Sequence, residues 1–301
     1  MPLKLMYITN NPQIALIAEN NGVDRICVDL ETLGKEERQK GINSVKSKHT
    51  ILDISIISKT LTTSEMLVRV NPWNINSILE INKVIQAGAK IIMLPMWKNV
   101  IEVKSFISAV EGRVKIVLLL ETKEAVECLD EILSLSGVDE IHIGLNDLHI
   151  SYGMTFMFEL LANGTVEKLC KKIQKTGIPY GFGGIAKIGE GLLPAEKIIM
   201  EHYRLGSTRA ILSRSFCDVT SIERIEEVER IFHLNMKTLR EYELSLRNVA
   251  EEDFYTNKVA VAECVDQIVS EIMGQSLFLW DWIKLSKYRE SRTSEDLKMI
   301  A

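Results

Sequence analysis

No two cysteines in this 301-residue sequence form a C-x-x-C pair; the five present, Cys27, Cys128, Cys170, Cys217 and Cys264, stand singly. An odd, scattered set argues against a disulfide framework or a zinc knuckle and suits reduced thiols in a core. No apolar run reaches the length needed to cross a bilayer. The N-terminus, Met1-Pro2-Leu3-Lys4-Leu5-Met6-Tyr7-Ile8, lacks the basic stretch and apolar run of a secretory leader. A cytoplasmic location without a membrane partner is the expectation. Basic charge is not in excess either: 36 Lys and Arg face 41 Asp and Glu. The resulting net charge of −5 argues against a nucleic-acid binder that neutralises phosphates. A G-x-G-x-x-G fingerprint after the first apolar run is also missing, which counts against an open doubly wound sheet.

What is present is a rhythm of strand, turn and helix. Apolar, β-branched runs recur at residues 3–8, 25–30, 66–70, 90–95, 114–120, 140–144, 179–183 and 208–212. Most are apolar throughout rather than alternating, as parallel strands covered on both sides should be. The segments between them have helical period; in 99–110, Val100, Val103, Ile107 and Val110 fall on one face. Thr50 and Asp53 read as an N-cap pair before Ile51. Gly22, Gly88 and Gly137 each stand just before a strand, where a left-handed helix cap turns the chain. Eight such units predict a closed (β/α)₈ TIM barrel over residues 1–218. Residues 219–301 lose the rhythm and predict extra C-terminal helices. Thr220-Ser221-Ile222-Glu223 is a capping-box signature, with Ile225, Val228, Ile231 and Phe232 behind it on a long helix starting near Ser221. A second helix is expected over 258–273. The dense apolar stretch 277–283, with Trp280 and Trp282, needs covering by the barrel or by a second copy. The polar stretch 289–298 is expected to fray.

In such a barrel, catalytic residues stand at the C-terminal ends of strands. The run 25–30 leads into Asp29-Leu30-Glu31, and the run 66–70 carries Arg69 and Asn71. The fourth run ends in Pro95, the fifth in Glu121-Thr122, and the sixth in Gly144-Leu145-Asn146-Asp147. Glu121 and Asp147 offer oxygen ligands suited to Mg²⁺ or Mn²⁺. Arg69 can fork onto a carboxylate or enolate oxygen. The backbone at Gly144, Leu145 and Asn146 allows close approach of a substrate carboxylate. Bland readings stand beside these. A strand-end glutamate is commonly a salt-bridge partner, Arg69 fits a buried ion pair equally well, and Glu31 has Arg25 or Lys35 as possible partners.

Several motifs carry a family resemblance. Residues 22–31, Gly-Val-Asp-Arg-Ile-Cys-Val-Asp-Leu-Glu, resemble the strand-two motif of the HpcH/HpaI aldolase and citrate lyase β-subunit family. Leu67-Val68-Arg69-Val70-Asn71 is similar to its arginine strand, and Gly88 to Met96 to its strand-four signature. Leu120-Glu121-Thr122 and Gly144-Leu145-Asn146-Asp147-Leu148 are similar to its metal-ligand strands. The resemblance covers roughly residues 3–216. It implies a pyruvate-enolate barrel with Mg²⁺ or Mn²⁺ held by Glu121 and Asp147, Arg69 orienting substrate, and carbon–carbon cleavage or condensation. The implied partner is a small 2-keto acid or an acyl-CoA ester. It also implies a homo-oligomer assembled through the C-terminal helices.

The chain departs from the family at Thr32, where aldolases carry a histidine and citrate or malyl-CoA lyases an aspartate. Glu31, His149 and the pair Lys35 and Arg38 are the candidates to fill that gap, with Lys35 also placed to meet an anionic substrate tail. A bland reading makes His149 a surface loop residue and 34–39 a solvated helix start. Gly181, Gly183, Gly184 and Ser213-Arg214-Ser215 stand where many barrels bind phosphate, though glycine there serves tight packing equally well. Two function classes follow: a metal-dependent lyase or aldolase, with a CoA-ester lyase close beside it, or a metabolite-binding barrel subunit without turnover.

Overall fold

Each apolar run forms a strand in the computed structural model, which describes residues 1–35, 49–219, 222 and 224–296, with side chains described as far as Gly274. The strands are β1 (Lys4–Ile8), β2 (Arg25–Asp29), β3 (Glu65–Arg69), β4 (Ile91–Leu94), β5 (Lys115–Leu120), β6 (Glu140–Ile143), β7 (Tyr180–Ile185) and β8 (Arg209–Leu212). Each pairs in parallel with its sequence neighbour and β8 returns to β1, closing the barrel. Intervening helices lie outside it. Their apolar faces and the outward faces of the strands make one large core in which Ile54, Val84, Phe106 and Ile199 are fully buried. Burial on both sides is why the strands read as unbroken apolar runs.

The local signals act as their chemistry requires. Thr50 and Asp53 form a reciprocal capping box for the helix Ile51–Thr60. Gly88 closes the helix Ser77–Ala87 at φ 115°, a conformation that suits glycine. A Cβ added there would stand 2.7 Å from the Cβ of Ser58, so packing demands glycine as well.

The lumen is layered. Met6, Cys27, Leu67, Ile91, Val117 and Leu119 fill its middle. Below, at the strands' N-terminal ends, the Glu140 carboxylate accepts both terminal nitrogens of Arg25 at 2.6 Å and Arg209 Nε at 2.8 Å. Arg25 Nε also reaches Glu65 at 3.2 Å. Above the apolar layer lies the mouth. Arg25, Cys27 and Asp29 show the alternation: they share one face of β2, one in each layer.

The C-terminal segment differs in part from its sequence reading. The first helix spans Ile225–Ser245, beginning four residues later than expected. Thr220, Ser221 and Glu223 of the expected capping box lie outside the described residues. Val228, Phe232, Met236 and Leu239 are buried on the chain's own barrel, beside the helix Pro12–Asn20. The Glu243 carboxylate accepts the Leu3 backbone N–H at 2.8 Å, tying this helix to the start of β1. The last helix spans Glu251–Asp296, longer than the expected 258–273, and seats Val261, Val265 and Ile268 in the core. It packs against the helices Ala195–Arg204 and Glu159–Ala162. The stretch expected to fray is helical through Asp296, and the residues beyond lie outside the described ones. The side chains of 277–283 lie outside the described ones too. Among the described residues no helix is long and apolar enough to cross a membrane.

Candidate active site

At the barrel mouth, register brings the first charged pair together. Asp29 and Arg69 are paired positions at the ends of β2 and β3, so their side chains leave the sheet on the same side. Arg69 donates from Nε and Nη2 to the two Asp29 oxygens at 2.9 and 2.8 Å. Lys35 Nζ adds a bond to Asp29 Oδ2 at 2.9 Å and lies 3.9 Å from Glu31 Oε2. Glu31 Oε2 is 3.4 Å from Arg69 Nη1. Glu31 therefore keeps company with Lys35 and Arg69, while Arg25 is engaged at the far end of the barrel. Burial alone would raise the Asp29 carboxyl, but the Arg69 and Lys35 cations more than offset it and hold Asp29 well below the usual carboxylate range. The same cluster keeps the half-buried Arg69 guanidinium firmly charged.

Two further contacts fix this edge. The His49 ring Nδ1 accepts the Asp29 backbone N–H at 2.9 Å. Asn71 Oδ1 accepts from Thr32 N, Thr32 Oγ1 and Leu33 N at 2.9, 3.2 and 3.1 Å. Its Nδ2 donates to Glu80 at 2.8 Å. The loop after β2 is thus clamped to β3, and the Thr32 hydroxyl is occupied by Asn71.

Across the mouth, Glu121 follows β5 and Asp147 stands in the short helix Leu145–Ser151 after β6; both are buried. Glu121 Oε1 accepts the Met96 backbone N–H at 3.0 Å. Met96 holds φ 54°, one of two non-glycine residues with positive φ among those described. That left-handed turn after β4 is costly for a side-chain-bearing residue and typical of functional sites. A Cβ on Gly144 would lie 2.8 Å from Glu121 Oε2, so glycine makes room for the carboxylate. Burial first, and the neighbouring Asp147 charge second, raise the Glu121 carboxyl well above its ordinary value, against the pull of Arg69. Glu121 thus sits buried beside a second carboxylate, with Arg69 the cation that opposes the rise. Among the described residues no group of three or more His, Cys, Asp or Glu comes together as a metal site.

His149 is buried rather than a surface loop residue, and its Nδ1 lies 3.2 Å from the Leu145 carbonyl. A carbonyl only accepts, so the ring proton sits on Nδ1 and Nε2 is the basic nitrogen. Leu145 is buried and Asn146 half-buried beside it. Lys35 is buried on Asp29, and Arg38 lies outside the described residues. The glycines of β7 have packing reasons. A Cβ on Gly181 would run into the Arg209 carbonyl, and one on Gly183 would stand 2.9 Å from Leu145 Cδ1. The hydroxyls of Ser213 and Ser215 bond each other at 2.8 Å. Sequence reasoning missed Met96 and His49. The first contributes only its backbone, and the second returns to the mouth from twenty residues along the chain.

The chain matches the HpcH/HpaI aldolase/citrate lyase family over residues 4–161. No curated protein matches it closely enough to count as a relative. Among solved structures it is similar to an HpcH/HpaI aldolase from Desulfitobacterium hafniense, with a TM-score of 0.57 and 17% identity over 76% of this chain and 93% of that one. It is also similar to the citrate synthase SbnG, with a TM-score of 0.54 and 15% identity over 80% and 95% of the two chains. A third is macrophomate synthase, with a TM-score of 0.51 and 15% identity over 82% and 85%. At these identities the likeness is one of fold.

Proposed function

Because the chain belongs to the HpcH/HpaI aldolase/citrate lyase family, we propose that it is a divalent-metal-dependent carbon–carbon lyase acting on a 2-keto acid unit. The observation that carries this reading is the buried Glu121 and Asp147 pair, two hard oxygen donors whose mutual repulsion a divalent cation would relieve. Water and substrate would complete the shell, as is usual for Mg²⁺. When bound, such an ion supplies positive charge against the negative charge that develops on a 2-keto oxygen.

In this reading the protein's own groups bind and orient. Arg69, held rigid by Asp29, presents its remaining N–H groups to the substrate carboxylate or keto oxygen. Gly144, Leu145 and Asn146 receive the substrate carboxylate along their backbone. Lys35 adds positive charge at the same edge. Glu31 orders water or a proton path, and His149 Nε2 is available to accept a proton. Thr32 cannot take a proton near neutral pH. That single departure favours the second reading, a barrel that binds its metabolite without turning it over. Metal dependence of turnover separates the two.

The test is metal binding together with product release. Glu121→Gln and Asp147→Asn should each weaken Mn²⁺ binding strongly by calorimetry while circular dichroism shows an intact fold. Unchanged affinity in either variant removes that residue from the site. The wild type loaded with Mn²⁺ should release pyruvate from some member of a panel of 2-keto-4-hydroxy acids and 3-hydroxyacyl-CoA esters. Release without metal, or none from any member, overturns the lyase reading.

The same proposal includes a homo-oligomer assembled through residues 219–301, with the apolar stretch 277–283 covered by a second copy. Light scattering should show a mass of two or more 34.1 kDa chains, falling when 277–283 is made polar. A monodisperse full-length monomer sinks this part.

A further inference from the structure

His49 is the one histidine in contact with the Asp29–Arg69 edge among the described residues, and it arrives by an indirect route. It follows the segment after Lys35 and immediately precedes Thr50, the cap of the helix Ile51–Thr60. That capping box fixes the direction in which the chain enters the helix, and so returns the ring to the end of β2. A backbone N–H can only donate, so the Nδ1 that accepts from Asp29 carries no proton; in the neutral ring the proton is on Nε2. At the end of a strand this N–H would ordinarily bond a neighbouring backbone carbonyl. Here a titratable ring takes it instead.

We propose that His49 is a positioning residue for Arg69: its neutral ring holds the Asp29 backbone so that both Asp29 oxygens meet the guanidinium, and protonation of the ring releases that hold. The inference rests on the reading of Arg69 as the substrate-orienting group. A protonated Nδ1 would set N–H against N–H, and the contact becomes repulsive. Among the described residues, the charged groups facing the ring are Asp29 and Lys35 from β2 and its loop, Arg69 from β3, and Asp53 from the helix Ile51–Thr60. Burial lowers the imidazole's pKa, as do Lys35 and Arg69, while the two carboxylates oppose them. The ring is thereby kept neutral at neutral pH, the state in which it can accept. On acidification the Arg69 anchor loosens before Asp29 itself titrates, because Asp29 is held far lower.

Two measurements on the full chain test this. Long-range ¹H–¹⁵N spectra of the His49 ring should show the Nε2–H tautomer at pH 7.5, with the Asp29 amide shifting as the ring titrates. Calorimetry with oxalate in the presence of Mn²⁺ should show affinity falling about ten-fold across the same titration, a change worth roughly 1.4 kcal/mol. His49→Gln, whose amide oxygen accepts but does not titrate, should restore binding and flatten that acid loss. His49→Ala should bind weakly throughout. An Nδ1–H tautomer, or an acid loss unchanged in His49→Gln, overturns the proposal. Should the wild type bind no oxalate at any pH, the substrate reading of Arg69 fails, and the ring tautomer and Asp29 amide still decide the contact.

Discussion

Glu140→Ala should lower the unfolding free energy by about 3–5 kcal/mol, the range for removing one partner of a buried ion pair. Glu140 is the common acceptor of the barrel floor, taking both terminal nitrogens of Arg25 and two nitrogens of Arg209. Arg25 is 1% exposed, so it has no water to turn to when its partner is removed. Burial works against the Glu140 carboxylate, yet the two arginines hold it down at about 2, which shows how strongly the pairs favour the charged form. Glu65 cannot take over, because it already accepts from Arg25 Nε and from Lys115 at 2.6 Å. Urea unfolding is the measurement. The midpoint should fall at an unchanged slope, which would mark a loss of stability rather than a change in the surface exposed. Replacing the pair together, as Arg25→Met with Glu140→Leu, should recover much of the loss, since it removes the buried charge rather than stranding it. Arg209 and Glu65 then keep the recovery partial. A single variant with the wild-type midpoint would mean that the floor is wet.

Because both ends of this barrel are ionic and the middle is apolar, the fold was easier to read than the site. Strands buried on both faces produce unbroken apolar runs, and all eight could be located to within about two residues without knowing their order in space. Helix ends were legible where a side chain does the capping, as at Thr50, and hidden where none does, as at Arg224 before Ile225. The candidates that strand-end position singles out, Glu121, Asp147 and Arg69, stood out in the sequence. Partnerships did not. That Arg69 forks onto Asp29 depends on the register of β2 against β3, a tertiary quantity. Glu31 had two plausible cations nearby in sequence; strand direction decides between them, since Arg25 starts β2 and Lys35 follows its end. Met96 was invisible for a different reason, as a methionine gives no sign that its backbone will adopt a left-handed turn.

Acid should weaken the barrel well before its depressed carboxylates titrate, through His142 and His202. Both rings are fully buried. His142 Nε2 lies 3.1 Å from the Gly183 carbonyl, and its Nδ1 has no hydrogen-bond partner among the described residues. His202 stacks on Phe182 with centroids 3.8 Å apart and pairs Nδ1 with Ser207 Oγ at 2.7 Å, while its Nε2 likewise has no partner there. Neither ring has a place for a second proton, and burial pushes their pKa values down to about 4 and about 3. The unfolded chain, with an ordinary imidazole near 6.5, binds protons that the folded one refuses. Stability is therefore complete above about pH 6.5 and is lost as pH falls toward the folded values. By pH 5 each ring should have cost about 2 kcal/mol. The depressed carboxylates act later: Glu140 contributes above its unfolded value and loses that contribution as pH falls toward 2. Urea midpoints at pH 7.5, 6, 5 and 4 should drop steeply across the first three. His202→Gln, which keeps an acceptor for Ser207 without titrating, should remove roughly half of that drop. A midpoint flat from pH 7.5 to 5, or a slope unchanged in His202→Gln, would show that these rings find a proton partner in the folded barrel.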